Sequence, residues 1–269
     1  MEYAKLRYEV TDNTAIFTFC TPDKLNAMSM QCWEEIGDAF SRAQSDDSVH
    51  SILFAGEGKA FCAGFDLEES SDMKEDGAYS HWRTMSLERE RMLQLWNTDK
   101  PVMAAVQGYC LGGGFELTNL VDLVIAADDA VFGDPAMRYS LMPMPAMQWI
   151  TGIRYAKENL LLSNYFSAEE AYRIGYANIV VPKEQLMETA MNWAHRLAKL
   201  PPETLRLTKR LINKTIDGQG FSEYGDWGWD MFHIVKMMPT AVSQEFNAMV
   251  AEKGMKEAMH WLNSRYKVV

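Results

Sequence analysis

The chain has 269 residues, 48% of them hydrophobic, and a formal charge of −11 at pH 7. That is enough apolar material for one large domain, or a domain with an appendage. No apolar stretch approaches the ~20 residues of a membrane span, and the acidic balance argues against a nucleic-acid partner, which needs a basic surface.

Residues 6–10 and 15–19 read as strands joined by the turn Thr11-Asp-Asn-Thr14. Residues 30–43 place Cys32, Trp33, Ile36, Ala39 and Phe40 at helical spacing behind Ser29 as cap. Residues 52–55 form a short buried strand, followed by Gly56-Glu-Gly58 and then Lys59-Ala-Phe-Cys-Ala-Gly-Phe-Asp-Leu67. The acidic stretch 68–78 reads as a mobile surface loop, and 79–97 as a helix. Residues 102–106 and 123–126 are continuous apolar runs, which suit a sheet buried on both faces. Ser167-x-x-Glu170 has the form of a capping box, with Gly175 ending its helix. Alternating strands and helices up to residue 181 predict an α/β fold with parallel pairing. From Lys183 onward no strand is expected. Helices over 203–217 and 222–238, a break at Pro239, and further helices to Arg265 make a C-terminal region rich in Met, Trp and Phe. A helical appendage of that kind buries its apolar groups on a neighbour. The predicted division is a core over 1–200 and a helical region over 201–269.

Cys20, Cys32, Cys62 and Cys110 have neither metal-site nor Cys-x-x-Cys spacing. Cys20, Cys62 and Cys110 lie in apolar or glycine-bounded segments and read as small core residues. No signal-peptide core opens the sequence, and a reducing cytoplasm is the expected location.

The most informative segment is Val102-Met-Ala-Ala-Val-Gln-Gly-Tyr-Cys-Leu-Gly-Gly-Gly-Phe-Glu116. It reads as a buried strand, a tight turn, three glycines and a helix with a carboxylate close to its start. Glycines let backbone approach a ligand, free N–H groups can hold an oxygen that gains charge, and Glu116 stands where it can move a proton. The segment ending at Asp66-Leu67 is a second strand–glycine turn able to supply another N–H.

Together these two segments resemble the crotonase family, also called the enoyl-CoA hydratase/isomerase family. Thr21-Pro-Asp-Lys-Leu-Asn-Ala-Met28, Ala130-Val-Phe-Gly-Asp-Pro135 and Ser167-Ala-Glu-Glu-Ala-Tyr-Arg-Ile-Gly-Tyr-Ala-Asn-Ile-Val-Val-Pro182 extend the likeness in family order. The resemblance implies a spiral of repeated ββα units and a C-terminal helical oligomerisation region, assembled as a trimer or a dimer of trimers. It implies an acyl-CoA thioester substrate and no separate cofactor, CoA being part of the substrate. The thioester oxygen would lie in an oxyanion hole made by the backbone N–H groups of Phe65 and Gly113. Lys24, Asn26, Ala27 and Ala63 would serve CoA, with Lys256 and Arg265 as further candidates for its phosphates, the last two from this subunit or a neighbour.

Glu116 matches the first of the family's two hydratase glutamates. The second should follow Phe132-Gly-Asp-Pro135, where this chain has Ala136. Asp134, two residues earlier, is the candidate substitute. Each residue has a plainer reading beside the catalytic one. Glu116 can stabilise a helix dipole, Asp134 can bond its own turn, and Asp66 reads first as a loop anchor. Gly113 and Phe65 can reflect turn geometry, with Phe65 narrowing the acyl pocket. His81 and His233 read as solvated or core histidines before pocket ones. Tyr224, Trp227 and Trp229 read as helix packing before a pocket wall. Met142-Pro-Met-Pro145 is expected to reshape the acyl pocket.

The preferred reading is hydration or dehydration of a 2-enoyl-CoA with a bulky acyl group. The alternatives are a double-bond isomerase, a carbon–carbon hydrolase of a β-diketone or CoA-linked ring ketone, and a weakly active binding or assembly subunit.

Overall fold

A computed structural model describes residues 3–67, 78–138, 140–143 and 146–266. The 68–77 part of the acidic loop, and Met144 and Pro145, lie outside the described residues, as does the side chain of His81.

Two sheets carry the first part of the chain. The larger has the order β1-β2-β3-β5-β7-β10, with strands Leu6–Thr11, Thr14–Phe19, Ser51–Gly56, Val102–Val106, Leu123–Ala127 and Ile179–Val181. Its first pair is an antiparallel hairpin whose two loop residues, Asp12 and Asn13, take φ of 49° and 62°. Two left-handed residues make the turn that matches strand twist, and Asp and Asn tolerate that conformation best after glycine. Every other pairing in this sheet is parallel. The residues of β2, and all those of β5, are buried, as continuous apolar runs predict.

The smaller sheet runs β4-β6-β8-β9, from Ala60–Cys62, Tyr109–Leu111, Val131–Gly133 and Tyr165–Ser167. Consecutive strands β3/β4, β5/β6 and β7/β8 send one member to each sheet, so the chain spirals in ββα units. The main apolar core lies between the layers and includes Phe17, Phe54, Phe61, Phe115 and Phe132.

The helices are α1 (Met30–Ser45), α2 (Ala78–Asn97), α3 (Gly113–Thr118), α4 (Met147–Ile150), α5 (Ile153–Leu161), α6 (Ala168–Arg173) and α7 (Leu186–Ala198). Beyond them lie α8 (Pro202–Asp217), α9 (Phe221–Met237), α10 (Ala241–Lys253) and α11 (Met255–Ser264). Ser29 caps α1 by accepting the Cys32 N–H, as expected. Ser167 likewise caps α6 by accepting the Glu170 N–H, but the Glu170 carboxylate turns to Arg173. Only half of the predicted capping box forms there. The full reciprocal arrangement occurs at Thr240 and Ser243, starting α10.

Helix α7 closes the outer face of the larger sheet, burying Leu186, Ala190 and Ala194 on Leu53, Met103 and Ile125. Helix α8 is fastened by charge. Lys209 sits 2.8 Å from Asp122 and donates to the Lys100 carbonyl at 3.0 Å. Asp122 in turn accepts the Val102 N–H at 2.7 Å, at the head of β5. Lys100 is itself fully buried, with Nζ donating to the Ala43 and Asp46 carbonyls. Helices α10 and α11 pack on each other through Phe246, Ala258 and Leu262. Among the described residues no helix is long and apolar enough to cross a membrane. Cys32, Cys62 and Cys110 are buried; Cys20 is only half-buried, at the open end of β2, which corrects the core reading for that residue.

Candidate functional site

The two glycine segments meet. Gly64 and Gly112 take φ of 106° and 51°, a left-handed backbone where a side chain would be strained. A β-carbon added to Gly64 would lie 3.1 Å from the Gly113 nitrogen, and one added to Gly112 would lie 3.6 Å from the Gly64 α-carbon. Close approach therefore favours glycine at 64, and the backbone angle favours it at 112. The preceding turn holds this arrangement in place. Met28 donates to the Gly64 carbonyl at 2.8 Å and accepts from Asp66 at 2.9 Å, and Ala63 donates to Leu25 at 3.0 Å. Neither the Phe65 nor the Gly113 N–H donates to another group among the described residues.

A cavity of about 300 Å³ opens beside this junction. Ala63, Gly64, Phe65 and Gly112 form one wall; Glu116, Asp134, Pro135 and Ala136 form the next. Gly113 itself is covered, since a β-carbon there would meet Met28 Cε at 2.9 Å and the Phe65 ring at 3.0 Å. The Phe65 ring also tilts against Trp33, with centroids 6.1 Å apart. It thus roofs Gly113 and lines the cavity at the same time.

Glu116 is 1% exposed, in the first turn of α3, and its N–H donates to the Gly112 carbonyl. The half-buried Tyr224 phenol is pushed up to about 12, chiefly by burial and to a smaller extent by Glu116. Asp134 is 2% exposed and lies just after β8. Its Oδ1 accepts the Ala136 N–H at 2.7 Å, which is the turn role expected of an Asp before Pro. Its Oδ2 is buried without a hydrogen-bond partner among the described residues. Burial lifts this carboxyl from its ordinary 3.8 to about 6, against the lowering effects of the Ala136 N–H and the Arg138 charge. An acid with that value can hold or release a proton near neutrality. Ala136 faces the same cavity and supplies no acid or base, so Glu116 and Asp134 are the carboxylates its walls bring together.

The other sequence candidates fall elsewhere. Asn26 is 1% exposed, with its amide held by the Glu57 and Ala60 carbonyls and its Oδ1 by the Thr21 N–H. Its side chain thus shapes the turn from inside. The Ala27 N–H closes that same turn on the Lys24 carbonyl. Lys24 is exposed and bonds Asp66 at 2.9 Å, so Asp66 is the loop anchor expected. Lys256 is exposed and does not line the cavity. Arg265 faces the Trp261 ring and Glu245. His233 is a packed histidine between Trp229 and Phe232, its pKa lowered by burial and then by Lys236. Trp229 is buried and Tyr224 packs on Trp149, as helix packing predicts, whereas Trp227 is exposed; none of the three lines this cavity. Of Met142-Pro-Met-Pro145, Pro143 lines the cavity and Met142 is in the core. Gly228 of α9 approaches Pro143 so closely that a β-carbon would sit 2.0 Å from its carbonyl oxygen.

Sequence reasoning missed the cover. Phe232 and Val235 of α9, Phe246 and Val250 of α10, and Met255 and Met259 of α11 line the cavity's far side. The pairs at four-residue spacing in α10 and α11 carry the signal of one apolar helix face each, but spacing alone does not say what that face covers.

The enoyl-CoA hydratase/isomerase family model matches residues 9–256. An enoyl-CoA hydratase/isomerase from Xanthobacter autotrophicus Py2 is 28% identical, covering 99% of this chain and 100% of its own, with a TM-score of 0.95. A probable enoyl-CoA hydratase from Mycobacterium thermoresistibile is 34% identical over 86% of this chain and 96% of its own, with a TM-score of 0.80. An enoyl-CoA hydratase from Mycobacterium smegmatis, 27% identical, covers 98% of this chain and 95% of its own, with a TM-score of 0.89. With the ββα spiral and the paired glycine segments, these findings place the chain in the enoyl-CoA hydratase/isomerase (crotonase) family.

Proposed function

We propose that the protein hydrates a 2-enoyl-CoA, or dehydrates the corresponding 3-hydroxyacyl-CoA, through a thioester enolate. The observation that carries this reading is the pair of buried carboxylates, Glu116 and Asp134, walling one cavity beside two backbone N–H groups that have no other partner among the described residues.

In the forward direction the thioester oxygen accepts hydrogen bonds from the Phe65 and Gly113 N–H groups. Glu116 takes a proton from water as the water oxygen bonds to the β-carbon. The electron pair of the double bond moves to the α-carbon and thioester, giving the enolate. Asp134, carrying a proton in part at neutral pH, gives that proton to the α-carbon, and the two carboxyls then exchange a proton through solvent. Two donors aimed at the oxyanion matter because losing one typically costs about 2.7–4 kcal/mol of barrier.

Ala63, which lines the cavity, and the Lys24–Ala27 turn are assigned to the CoA side. Lys256 and Arg265 are left for phosphates of CoA bound by this subunit or a neighbour. The apolar far wall, with Phe232, Phe246 and Met259, favours a bulky acyl group. No separate cofactor enters the scheme. Exposed Leu207, Leu211 and Ile212 on α8 support a homo-oligomer, a trimer or dimer of trimers, which light scattering tests. Free, mostly buried thiols suit a reducing cytoplasm.

Incubation with crotonyl-CoA, cinnamoyl-CoA and branched enoyl-CoA esters tests the reaction. Hydration adds one water mass and removes the enoyl-thioester absorbance. A double-bond shift without mass change would assign the isomerase instead. Ring opening or chain cleavage of a β-diketone or CoA-linked ketone would assign the hydrolase, and ligand binding without turnover a binding subunit.

A further inference from the structure

Arg138 ends the short 3-10 turn Pro135–Arg138 that begins beside Asp134. It is 8% exposed, and among the described residues none of its hydrogen bonds goes to a carboxylate. Nε donates to Ser163 Oγ at 3.2 Å and Nη2 to the Ser163 carbonyl at 3.0 Å. The Ser163 hydroxyl passes the link on by donating to the Asp134 carbonyl at 2.9 Å. Nη1 donates to Asn263 Oδ1 at 2.6 Å, near the end of α11. Tyr266 returns a hydrogen bond from its hydroxyl to the Arg138 carbonyl at 3.1 Å. The guanidinium lies 4.7 Å from the Tyr165 ring centroid and 5.4 Å from that of Tyr266.

One side chain therefore ties together the turn that carries Asp134, the segment after α5, and the helix whose Met255 and Met259 cover the cavity. A planar fork with several fixed donors suits this three-way junction, where a lysine would supply the charge without the geometry. The geometry points to Arg138 as a positioning residue that seats the C-terminal cover on the Asp134 turn and holds the proton state of Asp134 for its reaction. This rests on the hydration reading for the chemistry it serves.

The charge acts through space, since the guanidinium bonds are taken by neutral oxygens. Among the described residues, the groups that face Asp134 are few. Arg138 stands on its own turn and Tyr165 faces it from β9. Glu116 of α3 and Lys236 of α9 share its cavity, and α10 and α11 present mainly apolar side chains there. The positive charge of Arg138 opposes burial and keeps Asp134 from rising further.

The experiment compares wild type with Arg138→Met, Arg138→Lys and Asn263→Leu. Two readouts are taken: the titration of the Asp134 carboxyl by carbon-13 NMR, assigned with Asp134→Asn, and the pH profile of crotonyl-CoA turnover. Arg138→Met should move the Asp134 titration, and the matching limb of the profile, upward by about one pH unit, and raise KM about tenfold. Arg138→Lys should restore the titration but not the KM. Asn263→Leu should raise KM and leave the titration in place. An Asp134 titration unchanged in Arg138→Met, or one moved equally by Asn263→Leu, would overturn the assignment. If wild type turns over no enoyl-CoA, the hydration reading falls, and the carboxyl titration still judges Arg138.

Discussion

Replacing Asp134 with Asn should stabilise the protein at neutral and alkaline pH while impairing turnover. The ordinary value of 3.8 becomes about 6 in the fold because burial disfavours the charged form. A raised carboxyl pKa means the native state holds a proton that the unfolded state has released. Stability is therefore unaffected below the unfolded value and falls as pH rises from about 4 through 6, levelling above the folded value. At about 1.4 kcal/mol per tenfold step, the ionised side chain costs at most about 3 kcal/mol at pH 8. Asn keeps an oxygen for the Ala136 N–H and has no charge to bury. For a chain of this size, 1 kcal/mol corresponds to roughly 2–4 °C in Tm. Thermal melts of wild type and Asp134→Asn from pH 4 to pH 8 provide the assay. The Tm difference should be near zero at pH 4 and rise to at least about 5 °C at pH 8. A difference that stays flat with pH, or a variant less stable at pH 8, would refute the reasoning about the buried charge. Loss of turnover alongside that gain is the trade expected where a site holds a strained ionisable group.

Two further variants probe the scaffold. In Gly114→Ala the new β-carbon would sit 2.6 Å from the Cys62 carbonyl and 2.8 Å from its β-carbon. The first turn of α3 must then retreat from β4, so turnover should fall at least about tenfold and the melting temperature with it; wild-type values for both would show the junction to be tolerant. Lys209→Met should lose roughly 3 kcal/mol in urea unfolding, because it leaves the Asp122 carboxylate without its cation. Adding Asp122→Asn should recover much of that loss, and a single-variant loss below about 1 kcal/mol would show that α8 is held by packing alone.

The parts legible in the sequence are those where one local rule decides. Apolar runs marked β2, β3, β5 and β7, and Ser29 marked the start of α1. The glycine segments were legible because Gly64 and Gly112 take backbone angles that other residues avoid. The three-residue strands β6 and β9 of the smaller sheet were not, since they are too short to show a period and form only through pairing with other segments of that sheet. The burial of Lys100 and Lys209 was not legible, because it depends on carbonyls that the fold brings to them. Asp134 was legible as a turn residue, whereas its second oxygen and its raised pKa come from the cavity. The C-terminal methionines were expected at a subunit contact; Met255 and Met259 line this subunit's own cavity. Nothing in helical spacing distinguishes a face that covers a ligand from one that covers a partner.

The central claim is that Glu116 and the paired amides activate a thioester at its α- and β-carbons. The direct measurement follows crotonyl-CoA in deuterated water by mass and proton NMR, with wild type and Glu116→Gln. Wild type should add water with one solvent deuterium at the α-carbon. Glu116→Gln should lose that activity by about 10²–10⁴-fold and still bind the CoA ester. Full incorporation by Glu116→Gln, or none by wild type, would contradict the claim.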